Sequence, residues 1–206
     1  MTRLESELRY APATARRLFN AAVKSPRSGI QFGEADRPLA DVIASQSPAE
    51  DIVVVIAPQN PAERVTYQFL HLVESAFSAP TAVLLVPSGA APRTEEVVVI
   101  AETAGDPSLA AALNVAASAK TRLTVISPPT TDHSAFVEAT NQGIAVQHRT
   151  MAPACFRLPE TFGSPHQTND RLIVLTRRPE DERLLPRLSS ELRIPILVTE
   201  PSHTGN

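Results

Sequence analysis

The sequence predicts an α/β fold, an open parallel sheet with helices on both faces, and three observations carry that prediction. Short apolar runs are continuous rather than alternating, as in strands covered on both sides. Amphipathic helical stretches separate these runs, which implies right-handed crossovers between parallel strands. One kind of ending, a Pro-flanked strand after a helix, occurs twice: "PTAVLLVP" closes at Pro87 and "PILVTEP" at Pro201.

In chain order, "LESELRYAPATARRLFNAAVK" (4–24) reads as a helix interrupted at Pro12. "SGIQFGEA" (28–35) reads as a strand, and a short helix follows around Leu39–Ser45. "DIVVVIAP" (51–58) is a strand. After it, Val65, Phe69, Leu72, Val73 and Ala76 form one helical stripe, with Pro61 suited to a first turn. Strand 81–87 closes this group. "EEVVVIAE" (95–102) opens the next, and Leu109, Ala112, Leu113 and Ala116 give a second stripe. "RLTVIS" (122–127), a weak helix at 132–141, "GIAVQHR" (143–149) and "RLIVLT" (171–176) come next. In the last helix Leu184, Leu185, Leu188 and Leu192 share a face, and Pro186 is expected to kink it or delay its start. Strand 195–200 ends the series.

The chain of 206 residues is long enough for one large or two small domains. Aromatic residues are 4% against 43% apolar, so Val, Ile, Leu and Ala must fill the core. A net charge of −3 argues against nucleic-acid binding, which needs a basic surface to displace counterions. No run approaches the roughly 18 apolar residues of a membrane span, so direct membrane insertion is not expected. The charged N-terminus "MTRLESELRY" lacks the apolar core of a signal peptide. A single cysteine, Cys155, excludes an internal disulfide. These features point to a cytoplasmic protein.

Asp51–Pro87 and Asp170–Pro201 both read strand, helix, Pro-flanked strand. Only the second is preceded by a full strand–helix–strand opening, Glu95–Ser127. This order resembles the universal stress protein fold, whose parallel strands run 3-2-1-4-5. The resemblance rests on "TAVLLVPSGAAPRTEEVVVIAE", where one such domain would end and the next begin, and on the "RLIVLT…IPILVTEP" terminus. It implies a degenerate tandem: a partial unit at 1–90 lacking its first strand–helix–strand, and a nearly complete unit at 91–206.

The resemblance also implies where a nucleotide would sit, and there the residues depart from the pattern. Nucleotide-binding members have an acidic residue after strand 1 and a glycine-rich loop after strand 4. Here the strand-4 loops are "APQNPAERV" and "TRRPEDERL", with prolines and no glycine. Proline removes a donor where backbone N–H groups would approach phosphate. Glu102 alone stands near the acidic position. No nucleotide cofactor is therefore expected.

Remaining ligand-binding candidates are few. Gly105, Asp106 and Ser108 open a helix whose free N–H groups suit an anion, but with no second glycine or basic residue beside them the favoured reading is an ordinary turn and N-cap. Arg177 and Arg178 stand at the carboxyl end of strand 171–176, where open α/β sheets bind ligands. The plain alternative is a solvated pair neutralised by Glu180, Asp181 and Glu182. His71, His133, His148, His166 and His203 show no ligand spacing, and no metal site is expected. Cys155 reads as a small buried hydrophobe. The segment 151–170, with Pro153, Pro159, Gly163 and Pro165, reads as a long loop and a candidate partner-contacting element.

No Ser/His/Asp or paired-carboxylate spacing supports catalysis. The expected function is a non-catalytic regulatory or interaction domain with a lost nucleotide site. Cytosolic tails of some bacterial cation/proton antiporters resemble this, so a membrane-transporter domain is one implied partner. The alternative is a free-standing universal stress protein binding a nucleotide or other small anion. Strands 81–86 and 195–199 are the expected contact edges. They would lie side by side and antiparallel within the chain, or pair with a protein partner or another copy as a dimer.

Overall fold

Among the described residues, runs of β-branched and leucine residues form seven strands, and the elements between them fold so as to cover that sheet. The description rests on a computed structural model and applies to residues 13–14, 16–17, 19–21, 33–34, 37–48, 51–90, 94–131, 143–157, 161 and 171–201. The chain divides into two compact units, Met1–Pro38 and Leu39–Asn206. In the first, described residues between 13 and 21 are helical and Arg16 pairs with Glu34 at 3.1 Å. The expected strand at 28–35 and the weak helix at 132–141 lie outside the described residues, apart from Gly33 and Glu34, which are in no strand.

In the second unit, helix α1 (Leu39–Gln46) leads into strand β1 (Ile52–Ile56). A 3-10 turn (Pro61–Val65) and helix α2 (Tyr67–Ser78) then lead to β2 (Ala82–Val86). Next come β3 (Glu96–Ile100), α3 (Pro107–Ala119) and β4 (Arg122–Ser127). β5 (Val146–Thr150) and a 3-10 turn (Pro153–Cys155) follow. The last elements are β6 (Arg171–Thr176), α4 (Asp181–Leu192) and β7 (Ile196–Thr199).

The strands form one sheet in the order β1-β2-β7-β6-β3-β4-β5. Five of them, β5-β4-β3-β6-β7, are parallel and have the 3-2-1-4-5 order of the universal stress protein fold. β1 and β2 are parallel to each other. The one antiparallel junction joins β2 to β7, with Val83 opposite Val198, Leu84 opposite Leu197 and Leu85 opposite Ile196. Neither Pro-flanked ending is therefore at an edge of the sheet.

Each face carries its own core. On one, α2 and α4 place Phe69, Val73, Leu185 and Leu188 against Val55, Leu85, Val98 and Ile173. On the other, α3 packs Leu109, Ala112 and Ala116 onto Val97, Val99, Leu123 and Val174. Full burial of such side chains stabilises by about 1.5–3 kcal/mol each. At the amino ends of the strands, buried Glu96 ties β3 to its neighbours through Arg171 (2.6 Å), Arg122 (3.4 Å) and Thr124 (2.7 Å).

Two helices differ from expectation. The stripe starting at Val65 is broken at Thr66, whose backbone is extended. Its hydroxyl donates to the Glu63 carbonyl and accepts from the Phe69 N–H, ending one turn and capping the next helix. Val65 is consequently turned outward and is 75% exposed. Pro186 neither delays nor ends α4, which starts at Asp181. The N–H it lacks would have met the carbonyl of Glu182, in the helix's first turn. The helix ends instead at Arg193, whose left-handed φ of 57° closes it.

Candidate functional site

The carboxyl ends of β3, β6 and β7 come together, because these strands are neighbours and run the same way. Every ligand-binding candidate named from the sequence lies on this rim, and the structure gives most of their polar groups partners within the protein.

After β3 the chain turns through Glu102–Gly105 and enters α3 with Asp106 as its N-cap. The Asp106 carboxylate accepts from the N–H groups of Glu102 (2.9 Å) and Ser108 (3.0 Å), and from the Ser108 hydroxyl (2.7 Å). The Thr176 hydroxyl at the end of β6 also donates to it. Asp106 is buried, so the positive end of the α3 dipole faces the protein's own anion. Gly105 shows no left-handed backbone, and a Cβ there would meet nothing within 4 Å, so nothing local requires glycine.

The two arginines point to different partners. Arg177 reaches back to the end of α2, donating to the carbonyls of Phe77 (2.6 Å), Ala79 (2.9 Å) and Thr81 (2.6 Å). Its guanidinium also pairs with Glu200 and lies 5.3 Å from the Phe77 ring centroid. A cation at a helix C-terminus is favoured by the dipole. Burial pulls the Arg177 pKa down, while Glu200 and then Asp181 oppose that, and the group stays charged. Arg178 pairs with Glu102 and lies 3.9 Å from Glu180. The neutralising carboxylates thus come mainly from the ends of β3 and β7. Of the downstream Glu180–Glu182 run expected from the sequence, Glu180 stands at the edge of contact with Arg178, and Asp181 acts on Arg177 only at longer range. Asp181 serves another arginine, and Glu182 lies 3.9 Å from Arg183.

That other arginine, Arg157, was not singled out from the sequence. Its Nε and Nη2 grip both Asp181 oxygens at 3.0 and 3.3 Å, and Nη2 also donates to the Thr176 carbonyl at 3.0 Å. Asp181 is fully buried and additionally accepts the Arg178 N–H at 2.8 Å. With Phe156 buried in the core beside it, Arg157 ties this part of the 151–170 segment to the rim at Thr176 and Asp181. The residues of that segment from 158 on, other than Thr161, lie outside the described residues. Cys155 is half-buried rather than buried, since the 3-10 turn aims Phe156 inward in its place. An Arg placed 24 positions before an Asp in an irregular segment leaves no periodic signal, which is why spacing alone did not reveal this pair.

His148 also gains a partner: its Nε2 lies 2.8 Å from the Ser127 hydroxyl. Ser127 is fully buried, so a substrate does not reach that oxygen in this conformation. Among the described residues no three His, Cys, Asp or Glu side chains cluster as a metal site. Among them, too, no helix is long and apolar enough to cross a membrane. A separate groove of about 770 Å³ runs between α2 and α4, over Phe69, Leu70, Val73 and Pro186.

No protein-family model matches the chain, and no curated protein is significantly similar to it in sequence. Solved structures are similar. A universal stress protein from Archaeoglobus fulgidus is 16% identical, with a TM-score of 0.56, over 98% of this chain and 78% of its own. A functionally unknown protein from Pseudomonas aeruginosa is 18% identical, with a TM-score of 0.50, over 91% of this chain and 78% of its own. The cytoplasmic domain of a prokaryotic cation chloride cotransporter is 14% identical, with a TM-score of 0.47, over 81% of this chain and 70% of its own. At such identities the likeness is one of architecture: the chain has a universal stress protein-like α/β fold, a mostly parallel seven-stranded sheet flanked by helices.

Proposed function

We propose that this chain is a non-catalytic regulatory or interaction domain that keeps the nucleotide-binding architecture without its nucleotide site. One observation carries the reading. At the carboxyl ends of β3 and β6, the places where N–H groups would meet a phosphate are taken by the protein's own buried carboxylates, Asp106 and Asp181. An incoming phosphate would have to displace both from their partners and face their charge at close range. Arg177 and Arg178 are likewise engaged, by the α2 carbonyls and by Glu102.

The finer form of this reading makes 1–90 a partial unit and 91–206 a nearly complete one, with a place on the cytosolic side of a membrane ion transporter. The strand–helix–strand groups β1-α2-β2 and β6-α4-β7 support the two-unit form. Each ends in a Pro-flanked strand, and the two final strands meet antiparallel. Isothermal titration with Mg-ATP tests the central claim. No binding is expected up to millimolar nucleotide. Micromolar affinity, abolished in Arg177→Ala/Arg178→Ala without loss of stability, would restore the reading of a nucleotide-binding stress protein.

A further inference from the structure

Helices α2, α3 and α4 do not end alike. α3 and α4 each close on a left-handed residue, Lys120 (φ 54°) and Arg193 (φ 57°). The Lys120 N–H reaches back to the carbonyls of Ala116 and Ala117, and the Arg193 N–H to that of Ser189. α2 has no such cap. It runs into Ala79, whose backbone is extended at φ −77° and ψ 147°. Pro80 accounts for this, because a proline ring pushes the residue before it to extended backbone. A helix that ends this way leaves its last carbonyls in need of donors. Arg177, a hundred positions after Phe77, supplies them. Its Nη1 donates to the carbonyls of Phe77 and Ala79, and its Nη2 to that of Thr81.

Arg177 belongs to the other strand–helix–strand group, β6-α4-β7. Its backbone N–H donates to the Thr199 carbonyl at 2.8 Å, and its guanidinium pairs with Glu200 just beyond β7. One side chain therefore joins the rim of β6 and β7 to the end of α2, beside the antiparallel β2–β7 junction. We propose that Arg177 is a clasp that caps α2 from across this junction and couples its last turn to the rim. The Arg177–Glu200 pair is the input, and the last turn of α2 is the element that responds. When the guanidinium is drawn away, that turn loses its donors and frays. α3, which carries its own cap, does not respond. α2 is also one wall of the groove of about 770 Å³, so the clasp relays a change at the rim to that groove. The device goes beyond the proposed function and does not depend on the state of the nucleotide site.

Amide hydrogen exchange of the full chain, read by mass spectrometry, tests this in Arg177→Met, Arg177→Lys and Glu200→Ala. Arg177→Met should speed exchange in the last turn of α2 at least about tenfold, since hydrogen bonds from a charged donor are lost. Exchange in α3, β3 and β4 should keep its wild-type rates. Arg177→Lys retains the charge without the planar fork, and its effect should be confined to α2 and smaller. It serves by the same criterion if Arg177→Met fails to fold. Glu200→Ala tests the coupling, because it alters the rim and leaves both α2 and Arg177 in place. Without that carboxylate the buried guanidinium is drawn to water, so exchange in the last turn of α2 should again rise. A cap with no link to the rim would not respond to Glu200→Ala. Unchanged α2 exchange in the Arg177 variants, equal acceleration in α2 and α3, or an α2 indifferent to Glu200→Ala would overturn the proposal.

Discussion

β1 and β3 are nearly the same strand in sequence, Ile-Val-Val-Val-Ile against Glu-Val-Val-Val-Ile, yet they live in different surroundings. All five residues of β3 are buried, between β4 and β6 and beneath α3. Only Val55 is fully buried in β1. Pairing across the sheet makes the contrast direct. Val54, Leu84, Leu197, Val174, Val99 and Val125 stand in one continuous row, each opposite the next. Along that row the side chains pass from half-exposed at Val54 to fully buried at Val99. A β-branched run specifies a strand; the neighbours that the chain supplies specify how deep it lies.

A charge placed along this row should read out the gradient. Val99→Lys puts an ammonium in the core with no partner. It should cost about 5 kcal/mol or more, enough to leave the chain unfolded or aggregated by circular dichroism. Asp181→Ala comes next, at about 3–5 kcal/mol in chemical denaturation, because it strands the buried Arg157 guanidinium. Adding Arg157→Met should recover much of that loss; no recovery would mean that Asp181 acts through the Arg178 N–H instead. Leu84→Lys, midway along the row and opposite Leu197, should cost about 2–3 kcal/mol and lower the melting temperature of the monomer itself. Unchanged monomer stability would mean that the β2–β7 junction is not formed within one chain. Val54→Lys closes the series, with a monomer stability within about 0.5 kcal/mol of wild type.

What could be read from the residues follows from how local each signal is. Strands such as Glu96–Ile100 and Arg171–Thr176 announce themselves because covered strands need nearly unbroken apolar runs. The break at Thr66 was hidden because Val65 fits the spacing of the stripe, and only the capping hydroxyl decides that the helix restarts there. On the rim, Arg177, Arg178, Glu102, Asp106 and Ser108 were visible as a group, since strand ends locate them. Glu102 and Ser108 were thus in view beside Arg178 and Asp106, but the partners of Arg177 and the Arg157–Asp181 pair were not. Arg177 meets carbonyls about a hundred residues earlier, and Arg157 meets Asp181 from an irregular segment. Such contacts depend on tertiary closure and leave no trace in periodicity.

The single antiparallel junction gives the sheet two heads. β1 and β2 end at one rim and the five parallel strands at the other, so Pro58–Asn60 and the Glu102–Asp106 turn face opposite ways. Five residues of strand separate the rims by roughly 17 Å. The loops of one head can therefore change their chemistry without direct contact with the other. A ligand held at the Asp106 rim would likewise leave the Pro58 rim untouched.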